Sequence, residues 1–160
     1  MRTQETVFLS SEGDAWYKRD KSALSPEARA SSNDLVEKLI RKHNLCPKCV
    51  LDVGTGNGWR IEAMRRARPR ATYMGVEPSA VAIAAGKKTY PTLILKRGVA
   101  SDLPFKDAAC DLVLAAFTFH WVAREKLLQS VAEMDRVLKD GGHLIICDFG
   151  ESYQIKNDID

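Results

Sequence analysis

Two acids and a run of glycines carry the first chemistry that this sequence offers. Gly54-Thr55-Gly56-Asn57-Gly58 follows directly on the apolar stretch Val50-Leu51-Asp52-Val53, and glycines at such a turn let backbone N–H groups approach a ligand closely. The spacing is GxGxG, not the GxGxxG of a dinucleotide fingerprint. Asp52 stands two residues before the first glycine. An acid there repels a pyrophosphate and suits a ligand with a cationic amine; its plainer alternative is to hydrogen-bond the loop backbone. Glu77 closes a second apolar stretch 19 residues after Gly58, where a carboxylate can accept hydrogen bonds from both hydroxyls of a ribose. His120 is a candidate general base, because an imidazole of unperturbed pKa about 6.5 takes up protons near neutral pH. A partly buried rim histidine is the structural alternative.

The elements that position these residues follow from pattern. Ser25-Pro26-Glu27 reads as a helix start, with Ser as cap and Pro at the first helical position, and the helix is expected to run to about His43. Val50 to Val53 reads as a buried strand, the glycines as a turn, and the next helix ends before Pro69. Further strands are expected at Ala71 to Glu77, Leu93 to Arg97, Asp111 to Ala116 and His143 to Phe149. Helices are expected over Ala80 to Lys88 and Arg124 to Lys139, the latter stopped by Gly141-Gly142. Strands alternating with helices imply a doubly wound, mostly parallel α/β sheet whose ligand sits at the carboxyl ends of the strands. Residues 1–25 show no sustained period and read as a lid or docking segment, ahead of one domain over 26–160. Trp16 and Tyr17 in that segment either close over a ligand or anchor it to the core.

Taken in order, these landmarks resemble the class I S-adenosylmethionine-dependent methyltransferases, and specifically their small-molecule branch. The resemblance rests on Val50 to Gly58, Gly75-Val76-Glu77-Pro78, Gly98 to Phe105, and Asp111 to Val122 followed by Arg136 to Gly142. It implies a Rossmann-like core and S-adenosylmethionine as cofactor. Gly54, Thr55, Gly56 and Gly58 would then line the methionine moiety beside Asp52, Glu77 would hold the ribose and Pro78 would pack on adenine. The loop after the third strand departs from the family's Gly-Asp-Ala-Glu-x-Leu-Pro-Phe, because Val99 replaces the acid that receives the adenine amino group. The Ala100 backbone is expected to serve a ring nitrogen, Ser101 or Asp102 to supply the missing acceptor, and Leu103 to pack on the adenine. Ala116 and Phe117 match the place where the family offers backbone to the cofactor's amine. The family continues past its fifth strand with a helix and a strand hairpin, and only eleven residues follow Phe149 here. An apolar edge around Ile145 and Ile146 is therefore expected, to be covered by a second copy or a partner.

Composition narrows the alternatives. A chain of 160 residues with 45% hydrophobic and 28% charged positions suits one globular domain, and a net charge of +3 is too small to imply nucleic acid or an anionic membrane. No apolar run approaches the roughly 20 residues that span a bilayer, and no leader pattern opens the chain, so the expected address is the cytoplasm. Arg65-Arg66-Ala67-Arg68-Pro69-Arg70 is the one basic cluster; it reads as a solvated helix end or, alternatively, as a phosphate contact. Cys46-Pro47-Lys48-Cys49 runs into a strand and not a helix, which disfavours redox chemistry. Cys49 and Cys110 together with Cys46 make a three-thiol zinc alternative, and nothing supplies a fourth ligand. Two rival functions remain beside methyl transfer to a small organic or sugar-like acceptor. One is a cofactor-binding module silent without a partner, the other a nicotinamide oxidoreductase that the glycine spacing and Asp52 disfavour.

Overall fold

The computed structural model describes residues 3–24 and 35–149. Among them five strands form one sheet: β1 (Cys49–Val53), β2 (Thr72–Glu77), β3 (Ile94–Arg97), β4 (Cys110–Ala116) and β5 (Leu138–Cys147). Their order is β3-β2-β1-β4-β5 and every pairing is parallel. The chain winds outward from β1 to β3 and then returns to β4 on the other side of β1. That reversal opens a crevice at the carboxyl ends of β1 and β4, where ligands of such sheets bind.

The central strands are continuous apolar runs because both their faces are covered. Val50, Leu112 and Leu114 point into one core with Val36 and Ile40 of α3 (Leu35–Lys42) and Ile61 and Met64 of α4 (Trp59–Ala67). That core also takes Ala82 and Ile83 of α5 (Ala80–Thr89). The alternate residues Leu51, Val53, Val113 and Ala115 face the opposite core, packed by Met134 and Val137 of α6 (Leu127–Val137). The doubly wound fold is thus the one that the alternation of strands and helices implies. The start of the helix expected at Ser25 lies outside the described residues.

Two elements differ from expectation. Residues 4–23, which show no sustained period, are helical: short helix α1 (Gln4–Val7), a π-helical turn Phe8–Glu12, helix α2 (Gly13–Asp20) and a 3-10 turn Lys21–Ala23. The wide π turn shifts the phase of the apolar residues, so no single 3.6-residue period survives in the sequence. The last helix and strand also meet differently. Helix α6 ends at Val137, β5 opens at Leu138 opposite Cys110, and the register then jumps to His143 opposite Leu112. Gly141, with φ +73°, therefore serves a bulge inside the strand instead of stopping the helix. Among the described residues no helix is long and apolar enough to cross a membrane.

Candidate functional site

The glycine loop is tied to the end of β2 before any ligand is considered. Gly54 N–H and Thr55 N–H both donate to Val76 O, at 2.9 and 3.1 Å, and Gly56 N–H donates to Glu77 Oε2 at 3.0 Å. Gly54 has φ +76°, and a Cβ there would lie 2.4 Å from Thr118 Oγ1, so both the turn and the approach of the next loop require glycine. Glu77 Oε1 accepts Ser79 N–H at 3.0 Å. The carboxylate is 5% exposed, and burial pushes its pKa up to about 7 against those two N–H donors, with Asp52 and Asp14 adding repulsion. Each oxygen has accepted one hydrogen bond, which leaves one further lone pair on each for a pair of adjacent hydroxyls. Among the described residues Thr55 Oγ1 is buried with no partner, a polar atom in want of a ligand or water.

Two adjoining cavities open above this loop and share Trp16, Gly54, Phe117 and Trp121 in their walls. The first is bounded by Glu77, Pro78, Val99 and Ala100. The second is bounded by Asp52, Thr55, Gly56, Arg60, Ala116 and His120. Their roof comes from the N-terminal helices. Phe8 lies 5.4 Å and Trp16 6.5 Å from Trp121, centroid to centroid, and Gln4 Nε2 donates to Trp121 O at 2.6 Å. Asp14 Oδ1 anchors this roof to the first turn of α5, accepting Ser79 Oγ–H at 2.6 Å and Val81 N–H at 3.1 Å. Leu24 O accepts Asn57 Nδ2 at 2.9 Å, which ties the end of the segment to the glycine loop. Of the two open readings for Trp16, it is a cavity wall, whereas Tyr17 is buried in the core.

The far rim is built by the ends of β4 and β5. Phe117 takes a left-handed φ of +58° and donates its N–H to Cys147 O at 2.6 Å, which turns the chain out of the sheet and into the turn Phe119–Trp121. His120 Nδ1 then sits 2.6 Å from Asp148 Oδ1, and His120 N–H donates to Asp148 Oδ2 at 3.2 Å. Burial favours the neutral acid at Asp148, but the Phe149 and His120 donors outweigh it and hold its pKa below the usual carboxylate value.

Most of the residues singled out in the sequence converge here; four lie outside the cavity walls. Gly58 is the turn residue before α4, and a Cβ on it would meet Leu93 Cδ1 at 2.8 Å, so it serves packing. Leu103 is buried in the second core and donates its N–H to Glu133 at 2.8 Å. Asp102 is exposed. Ser101 Oγ donates to the Glu5 carboxylate, and it is Glu5, with Val99 and Ala100, that lines the first cavity. An acid thus reaches the place beside Val99 from the N-terminal helix, a contact across 96 residues that no local motif records. Thr118 and Asp148 likewise enter through contacts distant in sequence, with Val53 O and with His120, and Arg60 lines the second cavity from the first turn of α4 with no motif to mark it.

The other sequence alternatives find little support in the geometry. Among the described residues no three His, Cys, Asp or Glu side chains converge as a metal site. The Cys110 thiol is pushed up to about 12 by burial. In the basic cluster Arg65 and Arg66 bind Glu62 at 2.7 and 3.0 Å, and Arg68 binds Glu37 at 2.9 Å, so these three guanidiniums are held by carboxylates.

A family model described as a methyltransferase domain matches residues 51–146, the span from the glycine-loop strand to the end of β5. The chain belongs to the methyltransferase-domain family. Its sheet is the class I methyltransferase core that the motif order resembles. This methyltransferase-family chain is 29% identical over 161 residues to a phthiotriol/phenolphthiotriol dimycocerosates methyltransferase of Mycobacterium leprae, covering 96% of this chain and 57% of that protein. It is 31% identical over 139 residues to a malonyl-[acyl-carrier protein] O-methyltransferase of Coxiella burnetii, covering 81% and 47%. A Haloferax volcanii methyltransferase solved in complex with the Trm112 methyltransferase activator superposes with a TM-score of 0.70 at 26% identity, covering 86% and 59%. The chain therefore spans about half the length of the curated relatives it matches.

Proposed function

We propose that this chain binds S-adenosylmethionine and transfers its methyl group to a small organic acceptor by in-line displacement. The observation that carries this reading is Glu77: a buried carboxylate at the end of β2, held by the glycine loop, with one lone pair left on each oxygen for a vicinal diol. The residues present fit the cofactor. Pro78, Val99 and Ala100 offer an apolar slot for a purine beside that diol site, and Asp52 and the buried Thr55 hydroxyl bound the space where a cationic amino acid moiety would lie. Bound there, the cofactor supplies an electrophilic methyl on a positively charged sulfur. The protein's share is alignment and the exclusion of water, which hold the reactants in near-attack geometry. Trp16 and Trp121 close the junction of the two cavities, and the acceptor enters beside His120 and Phe149.

One observation favours a second reading, a cofactor-binding subunit that acts only with a partner. β5 is the outer strand of the sheet as described, and Ile146 on it is 47% exposed while Ile145 is buried. Of the apolar edge expected from sequence, one of the two isoleucines is thus open to a second copy or an activator.

Calorimetric titration of S-adenosylmethionine and S-adenosylhomocysteine, with NAD as competitor, tests both readings. Binding that Glu77→Ala weakens about a hundredfold or more, the loss of two charge-assisted hydrogen bonds, is the expected result. A folded chain that binds neither ligand overturns the autonomous-enzyme reading.

A further inference from the structure

We propose that His120 and Asp148 work as a pair at the mouth of the second cavity, with His120 Nε2 as general base for an aromatic or enolic hydroxyl acceptor and Asp148 as its positioning residue. This rests on the methyl-transfer reading and names an acceptor class for it.

The pair joins two elements distant in sequence. His120 follows the left-handed kink at Phe117, Asp148 follows the last residue of β5, and the Phe117 N–H bond to Cys147 O fixes one against the other. Asp148 is itself held: Oδ1 accepts Phe149 N–H at 2.8 Å and Oδ2 accepts His120 N–H at 3.2 Å. An ionised carboxylate 2.6 Å from Nδ1 accepts a hydrogen bond only if Nδ1 carries the proton. The neutral ring is thereby fixed in the tautomer whose lone pair is on Nε2, and Nε2 has no partner among the described residues. Trp121 and Phe149 pack against the imidazole, each with its centroid 5.0 Å away, which fixes the ring plane.

The chemistry of such a base selects the acceptor. A neutral amine attacks with a lone pair it already has, and a carboxylic acid is ionised before it arrives. A hydroxyl that keeps its proton at neutral pH gains most from a neutral imidazole. The walls around His120 are Trp16, Trp59, Phe117, Trp121 and Phe149, a setting for a flat apolar body. The other charged groups on this cavity are Asp52 at the end of β1 and Arg60 in the first turn of α4. In the step itself the acceptor O–H gives its proton to Nε2 and the oxygen lone pair forms the new C–O bond to the methyl carbon. The C–S bond breaks with its electron pair returning to sulfur, so the products are an ether, a neutral thioether and an imidazolium beside the Asp148 carboxylate.

The test uses the whole chain in two arms. Long-range proton–nitrogen NMR of isotope-labelled protein at about pH 8, with His120→Gln assigning the signal, should show His120 protonated on Nδ1, and Asp148→Asn should move the proton toward Nε2. A wild-type ring protonated on Nε2, or a tautomer indifferent to Asp148→Asn, overturns the pair. In the second arm, methyl transfer from S-adenosylmethionine to para-propylphenol and para-propylaniline is compared. The expected result is ether formation in preference to amine methylation. His120→Gln should lower kcat about a hundredfold or more, and Asp148→Asn should lower kcat while KM for the phenol stays within about twofold. Preference for the amine, no transfer to the phenol by a chain that binds cofactor, or full activity in His120→Gln overturns the proposal. Failure of the wild type to bind S-adenosylhomocysteine would instead remove the methyl-transfer reading, while the NMR arm still reports on the pair.

Discussion

Glu77 answers to two opposing demands, and the conflict is measurable. Burial raises its folded-state pKa from 4.5 to about 7, so the native state binds a proton more tightly than the unfolded chain does. Its contribution to stability is then fully present below about pH 4.5 and is lost as pH rises through about 7, a change of order 3 kcal/mol. Paired carboxylates such as Glu37 and Glu62, whose pKa values are lowered chiefly by Arg68 and by Arg65, slope the other way, so the isolating measurement is a difference. Denaturation of wild type against Glu77→Gln across pH 4 to 8 should show the variant gaining relative stability as pH rises. Ligand hydroxyls donate to the charged carboxylate, so a proton on Glu77 competes with them. Affinity for S-adenosylhomocysteine should therefore fall as pH drops from about 8 to about 6, and Glu77→Gln should flatten that dependence. Glu5 is a second residue with a sharp expectation. It stands on the purine side of the first cavity where the Val99 side chain has no acceptor to offer, and Glu5→Ala should weaken S-adenosylhomocysteine about tenfold, the worth of one hydrogen bond to a charged group. The same variant should leave the affinity of an analogue with a 6-oxo purine nearly unchanged.

Between elements, the contact with most consequence is the clamp of the N-terminal helix on α5. Asp14 accepts both the hydroxyl of the N-cap Ser79 and Val81 N–H, while Ser79 Oγ accepts Ala82 N–H at 3.0 Å, so one carboxylate completes the cap of another helix. These bonds hold the Asp14 pKa below its ordinary value. Asp14→Ala should cost about 1–2 kcal/mol in chemical denaturation and should raise the Kd for S-adenosylhomocysteine, because Trp16 two residues on loses its anchor. Nothing near Asp14 in sequence announces this role, since its partners lie 65 and 67 residues away. The sheet was legible for the opposite reason. β1 and β4 are apolar on both faces, Gly54 to Gly58 punctuates one turn, and Ser79 before a helical period marks another, all local signals that the structure meets within one or two residues. The glycine loop and Glu77 could be placed because strand ends deliver them to one edge. Ser101, Asp102 and Leu103 could not be, because the turn that follows Val99, with Asp102 N–H donating to Val99 O at 3.2 Å, carries them away from the cavity. Asp148 and Glu5 reach the site only through the register of β5 and the docking of a helix, neither of which has a period to read.

At the scale of the molecule, two cores sandwich the sheet and leave one crevice, and the N-terminal segment crosses that crevice as a roof. A consequence is that the chain's 3 tryptophans, Trp16, Trp59 and Trp121, all wall the second cavity. Its intrinsic tryptophan fluorescence therefore arises wholly at the candidate site. Titration with S-adenosylhomocysteine should change emission along the same isotherm as calorimetry, and Trp121→Phe should remove a large part of the signal without unfolding the chain. Occupancy should also bind roof to floor, since the ligand would touch the glycine loop from one side and the Glu5–Trp16 helices from the other. At a ligand concentration about 100 times Kd the native state gains about 2.7 kcal/mol, which for a chain of this size is a rise in Tm on the order of 5–10 °C. Hydrogen exchange separates this coupling from simple mass action. If roof and sheet are joined through the ligand, residues 4–23 gain protection along with the glycine loop; slowing confined to the loop would show that the helices rest on the site without closing it.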